Sequence, residues 1–248
     1  MSALWIALAF GGGLLAASSV WTLADKIIRG FGLDLWPVCL NCGARQSPVW
    51  WLPLSRWALG RGECTQCGDR DKRPQRNWQI VVALYYALAI GVVDIRYSVL
   101  ELLILSLPVL LILAIDIKVE AVFIQTCFVA IVAGISLAAL DGSREAVNAL
   151  IGMILAVSVT TLFLAISRWL FRSLGVRVSP IGLSDVYVAA AVGAVVRSDT
   201  LVPALVVTVS VAAAYGVLVP LMSKGARGRV APFGPFLCTG ALAALILA

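Results

Sequence analysis

Residues 100–116 read LELLILSLPVLLILAID, an apolar run closed by a carboxylate, Asp116. A helix of this length rises roughly 25 Å, close to the ~30 Å of bilayer hydrocarbon. Reading it as a membrane span sets the class of the whole chain. Of 248 residues, 61% are hydrophobic and only 13% charged, with a mean hydropathy of +1.00; soluble domains carry about 25% charged residues. Eight runs qualify as spans: 3–24, 78–93, 99–115, 120–140, 146–167, 185–197, 201–222 and 232–248. The predicted architecture is an all-α polytopic membrane protein. Runs 78–93 and 185–197 are short, which a bundle tolerates where neighbours shield helix ends. No Lys or Arg precedes Lys26, so residues 3–24 read as a retained first helix and not as a secretory signal.

Charge supplies the orientation. With eight spans, one side of the membrane receives residues 25–77, Lys118, the 168–184 loop and 223–231, which hold sixteen of the nineteen basic residues; the other receives Arg96, Arg144 and Arg197. Basic residues in short loops stay cytoplasmic, so both termini are expected outside and the 25–77 loop in the cytosol. The net charge of +6 is then a topology signal beside anionic lipid and implies no nucleic-acid partner. The chain divides into a first membrane helix (1–24), a cytosolic loop domain (25–77) and a membrane core (78–248).

The loop carries CLNCGARQSPVWWLPLSRWALGRGECTQCG at residues 39–68, two Cys-x-x-Cys pairs, each followed by glycine. Each pair presents two thiolates from a tight turn whose backbone glycine accepts, and Cys39, Cys42, Cys64 and Cys67 make a tetrahedral structural zinc site. A disulfide pair is disfavoured in the cytosol. Four thiolates leave no open position, so the metal is not catalytic. Trp50, Trp51, Leu52, Leu54 and Trp57 are expected beneath the knuckles or in the membrane interface. Cys127 and Cys238 read as small packing residues, and GGG at 11–13 as a close helix-packing surface.

Eleven of the thirteen acids sit in loops or at span edges where water is in reach, among them Asp25, Asp141, Glu145 and Asp199. Asp116 and Asp185 differ. Asp185 opens the run DVYVAAAVGAVV, and an ionisable group in a span costs about 2.5–3.5 kcal/mol at the bilayer centre unless it faces a cavity or partner. Span three ends at Asp116 and span six begins at Asp185, so parity brings both to the cytosolic face; Asp94, the rival, falls on the other. Two desolvated carboxylates share a proton, the state that suits peptide hydrolysis. The chain has no histidine, which excludes Ser-His, Cys-His and His-ligated metalloprotease chemistry. The structural alternative for Asp185, beside Gly182 and Ser184, is a helix cap.

These segments together resemble the type IV prepilin leader peptidases, a branch of the Gly-x-Gly-Asp intramembrane aspartyl proteases. The resemblance runs through the first helix, the CLNC and CTQC loop, LILAIDIK with Asp116, GLSDVYVAAAVGA with Asp185, and APFGPFLCTGALAAL at the last helix. It implies a bacterial inner-membrane enzyme that cuts the basic leader from prepilins or pseudopilins after a glycine, with Asp116 and Asp185 catalytic and Gly182 and Ser184 in the active-site loop. Many members also methylate the new N-terminus with S-adenosylmethionine. The sequence departs from the family pattern at Ser184 in place of glycine, at Tyr187 in place of lysine, and in lacking the acidic residue of the Tyr-Pro-x-x-Glu element. Two other readings stand beside it: a relative that binds pilins without cutting, and a transporter relaying protons through paired aspartates.

Overall fold

The computed structural model describes residues 3–30, 36, 39, 42–46, 64, 66–68, 75–91, 99–173, 182–222 and 233–247. These residues form seven helices: α1 Ala3–Arg29, α2 Gln75–Gly91, α3 Val99–Val119, α4 Ile124–Asp141, α5 Ser143–Ser173, α6 Leu183–Met222 and α7 Gly234–Leu247. α1, α3, α4, α5 and α6 are long and apolar enough to cross a membrane, while α2 and α7 are shorter apolar helices. Eight spans were expected and seven helices are described, because runs 185–197 and 201–222 belong to one element, α6.

The chain falls into two compact units, residues 1–95 and 96–248. In the first, α1 packs on α2. The Trp21 and Trp78 rings lie 5.8 Å apart, Trp78 Nε1–H donates to the Ala17 carbonyl at 3.2 Å, and Gln79 Nε2 donates to Ser18 Oγ at 2.8 Å. Of the three glycines at 11–13, only Gly13 forms the close surface expected of them; a Cβ there would lie 2.7 Å from the Ala83 backbone, whereas Gly11 and Gly12 face open space. α1 continues to Arg29, beyond the predicted end at residue 24. As a result Asp25, expected to reach water, is buried, and Lys26 is fully buried beside it.

The second unit holds α3 to α7 and is built inside-out relative to a soluble domain. Its interior is lined by small residues, with Ala130, Ala138, Ala149, Ala189, Ala191, Ala194 and Ala241 at zero exposure. Large side chains such as Phe128, Ile154, Leu162 and Val202 point outward, Phe128 at 64% exposure. Water would penalise that surface by about 25 cal/mol per Å², so it is one suited to lipid. Small residues let helices approach closely where lipid provides no hydrophobic drive between them. Gly134 meets the Ala194 backbone of α6, and Gly152 and Gly193 face one another across α5 and α6.

α6 is not a straight rod. Arg197 has φ 66° and ψ 172°, outside helical space, in a region that non-glycine residues occupy only under strain. Both Asp185 and Tyr215 approach the first turn of α7: a Cβ on Gly234 would lie 3.6 Å from Asp185 Oδ1, and the Tyr215 and Phe236 rings are 5.4 Å apart. A straight helix would separate residues 185 and 215 by about 45 Å. The element therefore folds back at Arg197 as a helical hairpin. Its two arms correspond to the two runs read separately from the sequence.

Candidate active site and metal centre

Three helix ends converge in the second unit. Asp116 lies near the C-terminal end of α3, Asp185 in the first turn of α6, and Gly234 opens α7. Both aspartates are buried, at 2% and 4% exposure. They meet around one point, the place a Cβ on Gly234 would occupy: that atom would collide with Asp116 Oδ2, lie 3.4 Å from Asp116 Cγ and 3.6 Å from Asp185 Oδ1. The expected partners thus come together from helices 69 residues apart in sequence. Asp94, the rival, lies outside the described residues.

The two carboxylates are held differently. Asp185 Oδ2 accepts a hydrogen bond from the Gly182 N–H at 2.8 Å, while the Asp185 N–H donates to the Gly182 carbonyl at 3.3 Å. This is half of a capping box, with Asp185 at the third helical position reaching back to the residue that precedes the helix. The cap role expected as an alternative is therefore real, but it engages only one oxygen. Oδ1 remains directed to Gly234, whose backbone N–H also interacts with this carboxylate. Asp116 Oδ2 has no hydrogen-bond partner among the described residues although it is buried. An unmatched buried oxygen costs about 1–3 kcal/mol and is the feature expected where a proton, water or substrate group completes the site.

Ser184 is exposed, with its Oγ 3.2 Å from the place a Gly182 Cβ would take, and Tyr187 is 46% exposed. Neither substitution intrudes between Asp116 and Asp185. Cys127 and Cys238 are buried at 1% and 0% exposure, as small packing residues should be.

The first unit brings its four loop cysteines together. Their sulfurs all lie within 4.8 Å of one another, with Cys39 to Cys67 at 3.7 Å and Cys42 to Cys64 at 3.6 Å. A tetrahedral zinc with bonds of about 2.3 Å separates its sulfurs by ~3.8 Å, so the set fits that ion. None of these cysteines is disulfide-bonded. Each pair sits in the same backbone turn: the Gly43 N–H donates to the Cys39 carbonyl and the Gly68 N–H to the Cys64 carbonyl, both at 2.9 Å. Gly43 and Gly68 have φ of 72° and 66°, which explains the glycine after each pair. Gln46 Nε2 donates to Cys64 Sγ at 3.2 Å and the Gln66 N–H at 3.4 Å, orienting that ligand as outer-shell donors do. Trp50, Trp51, Leu52, Leu54 and Trp57 lie outside the described residues.

One polar cluster escaped the sequence reading. Arg197, at the α6 turn, is 3% exposed and pairs with Asp141, the last residue of α4, and with Glu145 in the first turn of α5, the latter at 3.0 Å. Read one at a time, the three sit at span edges and look solvated. Only their reversed helix directions, end to end, could have signalled the pairing. No family model, curated protein or solved structure matches this chain.

Proposed function

We propose that this chain is an intramembrane aspartyl endopeptidase that removes the basic leader from type IV prepilins or pseudopilins at the cytosolic face of the bacterial inner membrane. The observation that carries the reading is the convergence of two buried carboxylates, Asp116 and Asp185, at the side-chain-free edge of Gly234. The order of segments that resembles the prepilin peptidases, and the bias of Lys and Arg to one set of loops, support the substrate class and the face.

The chemistry follows from the asymmetry of the pair. With one proton between them, the ionised carboxyl takes a proton from water as the water attacks the scissile carbonyl. The protonated carboxyl donates to the carbonyl oxygen. When the tetrahedral intermediate collapses, the proton collected from water passes to the departing amine. Asp185 is anchored by Gly182 through one oxygen, and Asp116 Oδ2 has no hydrogen-bond partner among the described residues and lies toward the same point. A substrate whose apolar helix remains in lipid presents its leader junction at the membrane face. Cys39, Cys42, Cys64 and Cys67 would hold zinc as a structural tie in the loop, with no position open for substrate.

Cleavage of a prepilin in reconstituted vesicles tests the reading. Asp116→Asn and Asp185→Asn should each lower kcat by ~10²–10⁴-fold, since each removes an acid–base group while keeping its shape. Both should retain the wild-type thermal midpoint within a few degrees. Cleavage at the wild-type rate by either variant would remove that residue from the reaction.

A further inference from the structure

α7 opens with Gly234 and Pro235. Pro235 has no N–H to offer, and the N–H groups of Phe236 and Leu237 both donate back to the Phe233 carbonyl, at 3.1 and 3.3 Å. The place a Gly234 Cβ would take, at this helix start, is 3.6 Å from Asp185 Oδ1. A helix N-terminus favours negative charge through its aligned peptide dipoles and unsatisfied N–H groups, and here it faces two buried carboxylates. One of them, Asp116, is 2% exposed and has an unpartnered oxygen aimed at that terminus. Every residue other than glycine at position 234 would place a Cβ against Asp116 Oδ2. The neighbouring glycine of the same pair of helices serves another purpose: Gly240 makes room for Thr208 and the Ala204 carbonyl, away from the carboxylates.

We propose that Gly234 is a positioning residue of the aspartate pair: its missing side chain is the space into which Asp116 Oδ2 reaches, beside Asp185 Oδ1. The inference rests on the proposed role of the two carboxylates and adds a third wall to their site.

Two measurements on the full-length protein in vesicles decide it. In prepilin cleavage, Gly234→Ala should lower kcat by ~10²-fold or more with KM within about twofold, the signature of misplaced reacting groups with binding retained. Gly216→Ala, whose Cβ meets open space in α6, should leave both unchanged. In thermal unfolding, Gly234→Ala should lower the midpoint by about 5 °C on the wild-type background and by no more than about 1 °C on an Asp116→Ala background, since removing the carboxylate removes the collision. Wild-type kcat in Gly234→Ala would overturn the inference. So would an equal loss of midpoint on the two backgrounds, which would place the clash elsewhere. If Gly234→Ala does not fold alone, folding of the double variant supports the inference and failure of the double variant refutes it. If the wild type cuts no prepilin, the protease reading fails while the unfolding cycle still decides the contact.

Discussion

Ser184 occupies the position where the resembled peptidases carry their second glycine, and with the altered flanking residues it motivates the non-cleaving alternative. Its side chain is exposed, with Oγ near Gly182, while the Asp185 carboxylate accepts from the Gly182 N–H through Oδ2 and lies toward Gly234 through Oδ1. Ser184 thus stands at the exposed start of α6 and not between Asp116 and Asp185. Ser184→Gly should therefore change kcat for prepilin cleavage by no more than about twofold, in line with exposed substitutions that stay within roughly 0.5 kcal/mol. A tenfold gain in the glycine variant would show that the serine restrains the site. At this scale the sequence was largely legible. Asp116 and Asp185 stood out because a carboxylate beside an apolar run is costly, whereas Gly234 gave no such signal, since a glycine at a helix start has many uses.

The helical hairpin of α6 is the element-level feature that places the aspartates. Its turn at Arg197 adopts a conformation that glycine reaches readily and other residues at a cost of about 1–3 kcal/mol. The compensation is electrostatic: the guanidinium pairs with Asp141, whose charge at the C-terminal end of α4 opposes the helix dipole, and with Glu145 near the start of α5. Arg197→Ala should lower unfolding stability by roughly 2 kcal/mol through the lost charged hydrogen bonds. Arg197→Gly should cost less, because glycine relieves the backbone while losing the same pairs. Urea or thermal unfolding in detergent measures both, and a glycine variant less stable than the alanine variant would refute the strain account. The two arms were legible as separate apolar runs. Their fold-back onto one another was not, because it depends on the Arg197 side chain finding Asp141 and Glu145 on two other helices.

For the molecule as a whole, the two units serve separate physical ends, a four-cysteine loop able to hold a metal with its helix pair, and a bundle of apolar surface with buried carboxylates. Loop integrity should follow thiolate chemistry. The Cys64 thiol is lowered from 9.0 to about 6, first by the Cys67 backbone N–H and also by that of Gln66. A folded-state value below the unfolded one means that thiolate-dependent stability is complete above pH 9 and is lost as pH falls through about 6. Zinc content should fall as pH is lowered and protons compete for the thiolates, and Cys39→Ser or Cys64→Ser should release the metal at pH 7. Zinc retained in either serine variant would refute the four-cysteine site. The apolar helices long enough to cross a membrane, the cysteine pairs with their glycines and the two out-of-place aspartates were determined by the sequence alone, because hydropathy, turn chemistry and the cost of a charge among apolar residues act within a few residues. The meeting of Asp116 with Asp185 at Gly234, the burial of Asp25 and Lys26, and the pairing of Arg197 with Asp141 and Glu145 were decided by tertiary structure. Each depends on which helix ends share a depth and a side, and that is set by packing between segments tens of residues apart.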